Sequence, residues 1–241
     1  MRLPRVFTQQ TLAGKEQLLL EEGPSHHLSK VLRMTPGREL ELFDDRGGSY
    51  RARILEQHKK QLRLNIEAYD PSERESPLDL ELGIGISRGE RMDWVVQKAT
   101  ELGVTRISPL FTERSEVKLR GDRLSKKQAR WQQLAISACA QCQRNRLPQI
   151  TAPMELNDWL AQNRSQSRLV LHHKATGRLP KHDSVASLSL LIGPEGGLSE
   201  LELASAQDWQ FSALTLGPRV LRTETAPVAA ISLVQYLWGD F

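Results

Sequence analysis

Near residue 70 the periodicity of this chain changes, and that change restricts its fold more than any other feature. Before it, residues 39–43 (ELELF), 50–55 (YRARIL) and 61–66 (QLRLNI) alternate apolar and polar side chains. That is the period of strands with one face buried. DDRGG, residues 44–48, reads as the hairpin connection between the first two. Residues 24–33 (PSHHLSKVLR) predict a short helix with His27, Val31, Leu28 and Leu32 turned inward. Strands this short close most economically as a small barrel.

Residues 69–77 (YDPSERESP) then combine two prolines, two serines and four charges, the composition of a linker. Beyond it, strand and helix patterns alternate. Strands are predicted over 80–87, 104–110, 168–173, 188–193 and 213–217. Helices are predicted over 91–104, 122–142 and 154–162, from Ser199, and over 226–238. Such alternation implies an α/β domain on a mostly parallel sheet. The expected division is therefore 1–72, a small β domain, and 73–241, an α/β domain.

Charge is uneven. The 241 residues carry a net +4, but residues 105–146 hold ten Lys/Arg against three acids, while 181–241 hold three against seven. A local excess of this size is either a solvated helix face or a surface that tracks phosphates. No apolar run approaches the roughly 20 residues of a membrane span. The first residues, MRLPRVFTQQ, lack the apolar core of a secretory signal. With only two cysteines, the expectation is a cytoplasmic protein with no membrane partner.

Several motifs are weak. GIGISR (83–88) has Arg88 where a dinucleotide fingerprint needs its third glycine. CAQC (139–142) lies in a helical pattern with no second cysteine pair. It reads as helix packing, and no metal site is expected.

Two strand ends are stronger. LIGPEGGLSE (191–200) stops a strand at Gly193, and Ser199 with Glu202 forms a capping box that starts a helix. Ligands of open α/β sheets bind at such carboxyl ends. The loop carries Glu195 and no Lys or Arg, so it suits a neutral or cationic ligand better than a polyphosphate. LTLGPRVLRTETAPVAA (214–230) repeats the pattern 24 residues later, Gly193 to Gly217. There Thr223, Glu224 and Thr225 are candidate caps, and Pro227 fits a first helical turn. The two ends, side by side in one sheet, would clasp one ligand.

GPEGGLSE followed by LGPRVLRTETA, with RMDWVVQKATELGV (91–104) and RSEVKL (114–119), resembles the RsmE-type ribosomal RNA methyltransferases of the SPOUT superfamily. The resemblance spans nearly the whole chain. It implies an α/β SPOUT domain with a trefoil knot behind a PUA-like N-terminal barrel. It also implies a homodimer, S-adenosyl-L-methionine as cofactor, and methylation of N3 of a uridine in 16S rRNA near the decoding region. The cofactor-binding residues it implies are Gly193, Glu195, Gly196 and Gly197 in the first loop. In the second they are Leu216, Gly217, Val220, Leu221, Arg222, Thr223, Thr225 and Ala226. Leu171 and His172 would stand on the intervening strand end. The chain departs from the family pattern A-x-E-Q-S-x-R at the end of the long helix, where Ala140 and Cys142 replace glutamate and serine.

Uracil N3 bears an imide proton and lies on the pairing edge. The base must therefore be unpaired, and the proton must leave. Arg222 is the expected source of positive charge for the uracil oxygens. Glu224 is expected either to accept the proton, to orient Arg222 or to cap the last helix. Expected phosphate contacts are Arg114, Lys118, Arg120, Arg123, Lys126, Arg144 and Arg146, with Arg5, Lys30 and Arg33 from the barrel. An assembled small ribosomal subunit is the expected substrate. Two other readings stand beside this one: a SPOUT methyltransferase acting on a ribose 2′-OH or a tRNA, and a noncatalytic RNA-binding module.

Overall fold

The computed structural model describes residues 3–117, 121–173 and 184–241. They group into two compact units. The first runs through Glu75 and takes in Cys139–Leu147; the second comprises Ser76–Ala138 and Pro148–Phe241.

The first unit opens with β1 (Arg5–Phe7), β2 (Gln17–Leu19) and α1 (Glu22–His26), which continues as a π-turn over His27–Val31. Then come β3 (Glu39–Phe43), β4 (Ser49–His58) and β5 (Gln61–Asp70). The sheet order is β1-β3-β4-β5-β2. β1 is parallel to β3 and the remaining pairs are antiparallel. The predicted barrel is therefore a five-stranded sheet whose end strands, β1 and β2, do not pair among the described residues. Register shifts at Arg51/Ala52 and Ile54/Glu56 interrupt the long hairpin, as bulges that bend a sheet do. Leu12, Leu18, Leu40, Leu42, Ile54 and Leu64 fill its core.

The predicted helix at 24–33 needs correction. Leu28 is buried, but His27, Val31 and Leu32 are exposed. The π-turn replaces the 3.6-residue period with a wider one, so Leu28 and Leu32, four residues apart, do not share the buried face.

The second unit contains β6 (Asp79–Gly85), α2 (Glu90–Glu101), β7 (Arg106–Phe111), α3 (Asp122–Cys142), β8 (Gln149–Ile150), β9 (Met154–Glu155) and α4 (Leu156–Gln162). β10 (Ser167–Leu171), β11 (Ser187–Ile192), α5 (Glu200–Asp208), β12 (Ser212–Leu214) and α6 (Thr225–Trp238) complete it. The sheet runs β12-β10-β11-β6-β7-β8, with β9 also on β7, and every pairing is parallel.

Alternation along the strands feeds two cores. Leu80, Leu82 and Ile84 of β6, with Leu188, Leu190 and Ile192 of β11, pack with Met92, Val95, Val96, Ala99, Trp131, Ala230 and Val234 from α2, α3 and α6. Leu191 and Val170 point the other way, toward Trp159, Leu160, Leu203 and Ala206 of α4 and α5. Covering both faces with helices is what a parallel sheet requires. Asp93 fastens α2 to α3: it accepts from Arg130 Nε at 2.7 Å and from Trp131 Nε1 at 3.2 Å. Among the described residues no helix is long and apolar enough to cross a membrane.

Candidate functional site

β10, β11 and β12 are parallel, so their carboxyl ends share one edge of the sheet. β10 lies between the other two, and this corrects the expectation that the two Gly-Pro strand ends are neighbours. The first loop leaves β11 and the second leaves β12, while Leu171 and His172 end β10 between them. The His172 N–H donates to the Leu214 carbonyl at 2.9 Å, and Thr215 Oγ1 donates to the His172 carbonyl at 2.9 Å. Those bonds hold the second loop at its root.

The three ends enclose a cavity of about 300 Å³, at the lower limit of small-molecule sites. Gly193, Glu195, Gly196 and Gly197 line it from the first loop, and Leu216, Gly217, Val220, Leu221, Thr223 and Ala226 from the second. Leu171 and His172 line it from the strand between. Arg222 and Thr225 do not. Both are exposed, and Thr225 begins α6.

The first loop is shaped by backbone. Its turn closes with Gly197 N–H donating to the Pro194 carbonyl at 2.8 Å, and Gly197 has φ +69°. A Cβ on Gly193 would lie 2.8 Å from the Gly197 carbonyl carbon and from the Leu198 nitrogen. Backbone cannot swing aside as a side chain can. Gly193→Ala is therefore expected to open the loop and weaken ligand binding at least about tenfold, by calorimetry, while the sheet stays folded by circular dichroism. Pro194 in turn packs where a Gly85 side chain would stand. That accounts for one glycine of GIGISR without any nucleotide. Beyond the turn, Ser199 and Glu202 form the predicted capping box of α5.

Backbone amides and side chains from the loops after β6 and β7 and from the start of α2 hold the first loop and the start of α5. Arg88 N–H donates to Glu195 Oε1 at 3.0 Å, and Arg91 Nη1 donates to the same oxygen at 2.9 Å. Arg114 Nη1 donates to the Gly196 carbonyl at 3.0 Å, and Glu113 N–H donates to Glu202 Oε1 at 2.8 Å. Arg91 Nε also lies 3.9 Å from Glu224 Oε2 on the second loop. Burial by itself raises the Glu195 pKa. The hydrogen bonds from the Arg88 amide and from Arg91 outweigh it and hold the carboxyl below its ordinary value. Glu195 is thus a fixed negative charge at neutral pH.

Sequence reasoning missed Arg88 and Arg91, whose positions just before and inside the first turn of α2 were the only signal. Arg114, expected to contact RNA, is exposed and also lines the cavity wall. Glu224 occupies the N-cap position of α6, but its side chain makes no capping hydrogen bond. The expected cap is replaced by the contact with Arg91.

The phosphate-contact set divides. Lys30, Arg33, Arg123, Lys126 and Arg146 are exposed. Lys118 and Arg120 lie outside the described residues. Arg5 and Arg144 need correction, because their side chains are only 3% and 4% exposed. Arg5 Nε pairs with Glu41 at 2.6 Å, and its guanidinium stacks on Phe43 at 4.7 Å. Arg144 pairs with Glu75 at 2.7 Å. Buried guanidiniums need such partners, and the carboxylates sit far off in sequence. Glu75 also accepts from the Arg146 amide at 3.3 Å, and Glu73 lies 3.9 Å from the Arg146 side chain. Linker carboxylates thus order these arginines in a chain whose long helix has alanine at 140. Burial pushes the Cys139 thiol up to about 12, as expected for a packed helix residue. Among the described residues no three potential ligands cluster as a metal site would require.

Residues 74–235 match the model of an RNA methyltransferase domain, and residues 20–67 match that of an RNA methyltransferase PUA domain. This chain belongs to the RNA methyltransferase family. The methyltransferase is 34% identical over 242 residues to a ribosomal RNA small subunit methyltransferase E of Buchnera aphidicola, covering 100% of this chain and 96% of the relative. Its fold matches the Neisseria gonorrhoeae ribosomal RNA small subunit methyltransferase E bound to S-adenosyl methionine, with a TM-score of 0.92 and 38% identity over all of both chains. A Legionella pneumophila methyltransferase in complex with SAM matches with a TM-score of 0.96 and 37% identity, again over the full length of both.

Proposed function

We propose that this methyltransferase transfers the methyl group of S-adenosyl-L-methionine to N3 of a uridine in 16S rRNA. The observation that carries this reading is the full-length match to a small-subunit rRNA methyltransferase holding that cofactor, in a chain whose two loops enclose a cavity at the same sheet edge.

The cavity suits the cofactor. Glycine backbone and Leu171, Leu216 and Leu221 offer amide groups and apolar surface for an adenine. Arg219 at the wall is a cation within reach of an amino-acid carboxylate. The bound cofactor supplies an electrophilic methyl on a positive sulfur. The S–CH₃ bond breaks with its electron pair left on sulfur, and N3 forms the new C–N bond with the pair it holds after deprotonation. Glu224 receives the imide proton. Arg222, exposed on the second loop, stabilises the charge on the uracil oxygens. Arg123, Lys126, Arg146, Lys30 and Arg33 contact phosphates, each adding about one to the salt slope.

A homodimer belongs to the same reading. It is supported by exposed apolar residues at the end of α6, Tyr236 at 71% and Leu237 at 43%. So does a trefoil knot: β12 lies at the sheet margin, yet α6 packs into the core beside α2, so the second loop must return across the sheet edge. The substrate is the assembled small subunit, in the cytoplasm.

The test is primer extension across 16S rRNA after incubating purified protein and cofactor with unmethylated small subunits. An N3 methyl blocks base pairing and stops reverse transcriptase; a ribose methyl lets most of it pass. A cofactor-dependent stop at a single uridine is expected. Methyl incorporation without a stop would transfer the reading to ribose methylation, and failure to bind the cofactor near a millimolar would leave only RNA binding.

A further inference from the structure

We propose that Arg91 is a positioning residue for the transfer, neutralising Glu195 and Glu224 beside the cavity and joining the two loops through one guanidinium. This rests on the reading that the cavity holds S-adenosyl-L-methionine.

The geometry comes first. Arg91 lies in the first turn of α2, on neither loop, and is 46% exposed in its side chain. It donates to Glu195 at 2.9 Å and stands 3.9 Å from Glu224. Glu195 lines the cavity and is ionised at neutral pH. The other charged or titratable groups on the cavity wall are Arg114, Arg219, Glu200, His172 and His173. Arg114 is engaged with the Gly196 carbonyl. Arg88, whose amide also holds Glu195, has its guanidinium paired with Glu116. Among these contacts, Arg91 is the cation set directly on the Glu195 carboxylate.

The chemistry explains why such a cation matters. The cofactor is positive at sulfur before transfer and neutral after it. A bare carboxylate on the wall of the cavity that holds this sulfonium would bind the reactant more tightly than the transition state, in which the positive charge is already fading. Tighter binding of the ground state alone slows turnover. A guanidinium on the carboxylate cancels that preference and leaves the loop shape intact.

The experiment separates charge from shape by using two ligands that differ only at sulfur. S-adenosylmethionine and S-adenosylhomocysteine are titrated by calorimetry into wild type, Arg91→Met, Arg91→Lys and the double variant Arg91→Met/Glu195→Gln, with folding checked by circular dichroism. Arg91→Met is expected to shift the affinity ratio about tenfold toward the sulfonium and to lower kcat about tenfold. Arg91→Lys keeps the charge and should hold the ratio within about threefold of wild type. The double variant should return the ratio most of the way to the wild-type value, since the carboxylate on the cavity wall is then gone and only the more distant Glu224 stays uncovered. Equal weakening of both ligands by Arg91→Met would overturn the inference and leave Arg91 a purely structural contact. A ratio shifted as far in the double variant as in Arg91→Met would overturn it too. Wild type binding neither ligand would overturn the cofactor reading itself, a result distinct from either of these.

Discussion

Arg222→Ala is expected to lower kcat about 10²–10³-fold while the affinity for S-adenosyl-L-methionine stays within about threefold. The split follows from where the residue lies. Its side chain is exposed and outside the cavity, so truncation removes no wall. Its structural contribution is made by backbone: the Arg222 carbonyl accepts from Thr225 N–H and Ala226 N–H, both at 2.9 Å, and starts α6. Alanine keeps that carbonyl and those bonds. In the proposed mechanism what is lost is a cation where uracil charge develops, an interaction stronger in the transition state than in the bound ground state. Calorimetry and single-turnover methylation on small subunits measure the two quantities separately. Equal loss of both would make Arg222 a binding residue only.

The second large effect concerns stability. Glu75→Ala is expected to destabilise the first unit by about 3–5 kcal/mol, because it leaves a buried guanidinium without its carboxylate. Arg144 donates to Glu75 through both Nε at 2.9 Å and Nη2 at 2.7 Å, and its side chain is 4% exposed. The same change frees the Arg146 amide from Glu75. All five tryptophans lie outside this unit, so fluorescence would miss the loss. Hydrogen exchange in β4 and β5 reads it directly, with protection expected to fall by about two to four orders of magnitude. Adding Arg144→Met should recover much of it, since an apolar side chain of similar length needs no counter-ion. If the double variant is no better than the single, Glu75 acts through the chain turn it occupies and not through charge.

The two cases also show why some site residues were readable and others were not. Glycine, proline and a capping box act within a few residues of themselves. LIGPEGGLSE therefore announced a strand end, a tight turn and a helix start, all of which the structure contains. Arg5 and Arg144 were misread because a cation's role depends on whether a carboxylate meets it. Glu41 is 36 residues from Arg5, and Glu75 is 69 from Arg144. The helical segment within 24–33 is present, but its inward face was misread for a local reason that periodicity could not show, the π-turn over His27–Val31.

Although the short strands β1, β2, β8 and β9 carried no readable period, sequence by itself determined the class of the longer helices and strands, the two loops and the family. These depend on backbone preferences and short-range hydrophobic period, which every few residues carry intact. Only tertiary structure decided that Cys139–Leu147 belongs to the first unit, that the end strands β1 and β2 do not pair among the described residues, and that Arg91 holds a carboxylate from each loop. Strand order and ion pairing arise from contacts between residues tens to more than a hundred positions apart. Their energy depends on distance and burial in space, quantities that no single stretch of sequence contains.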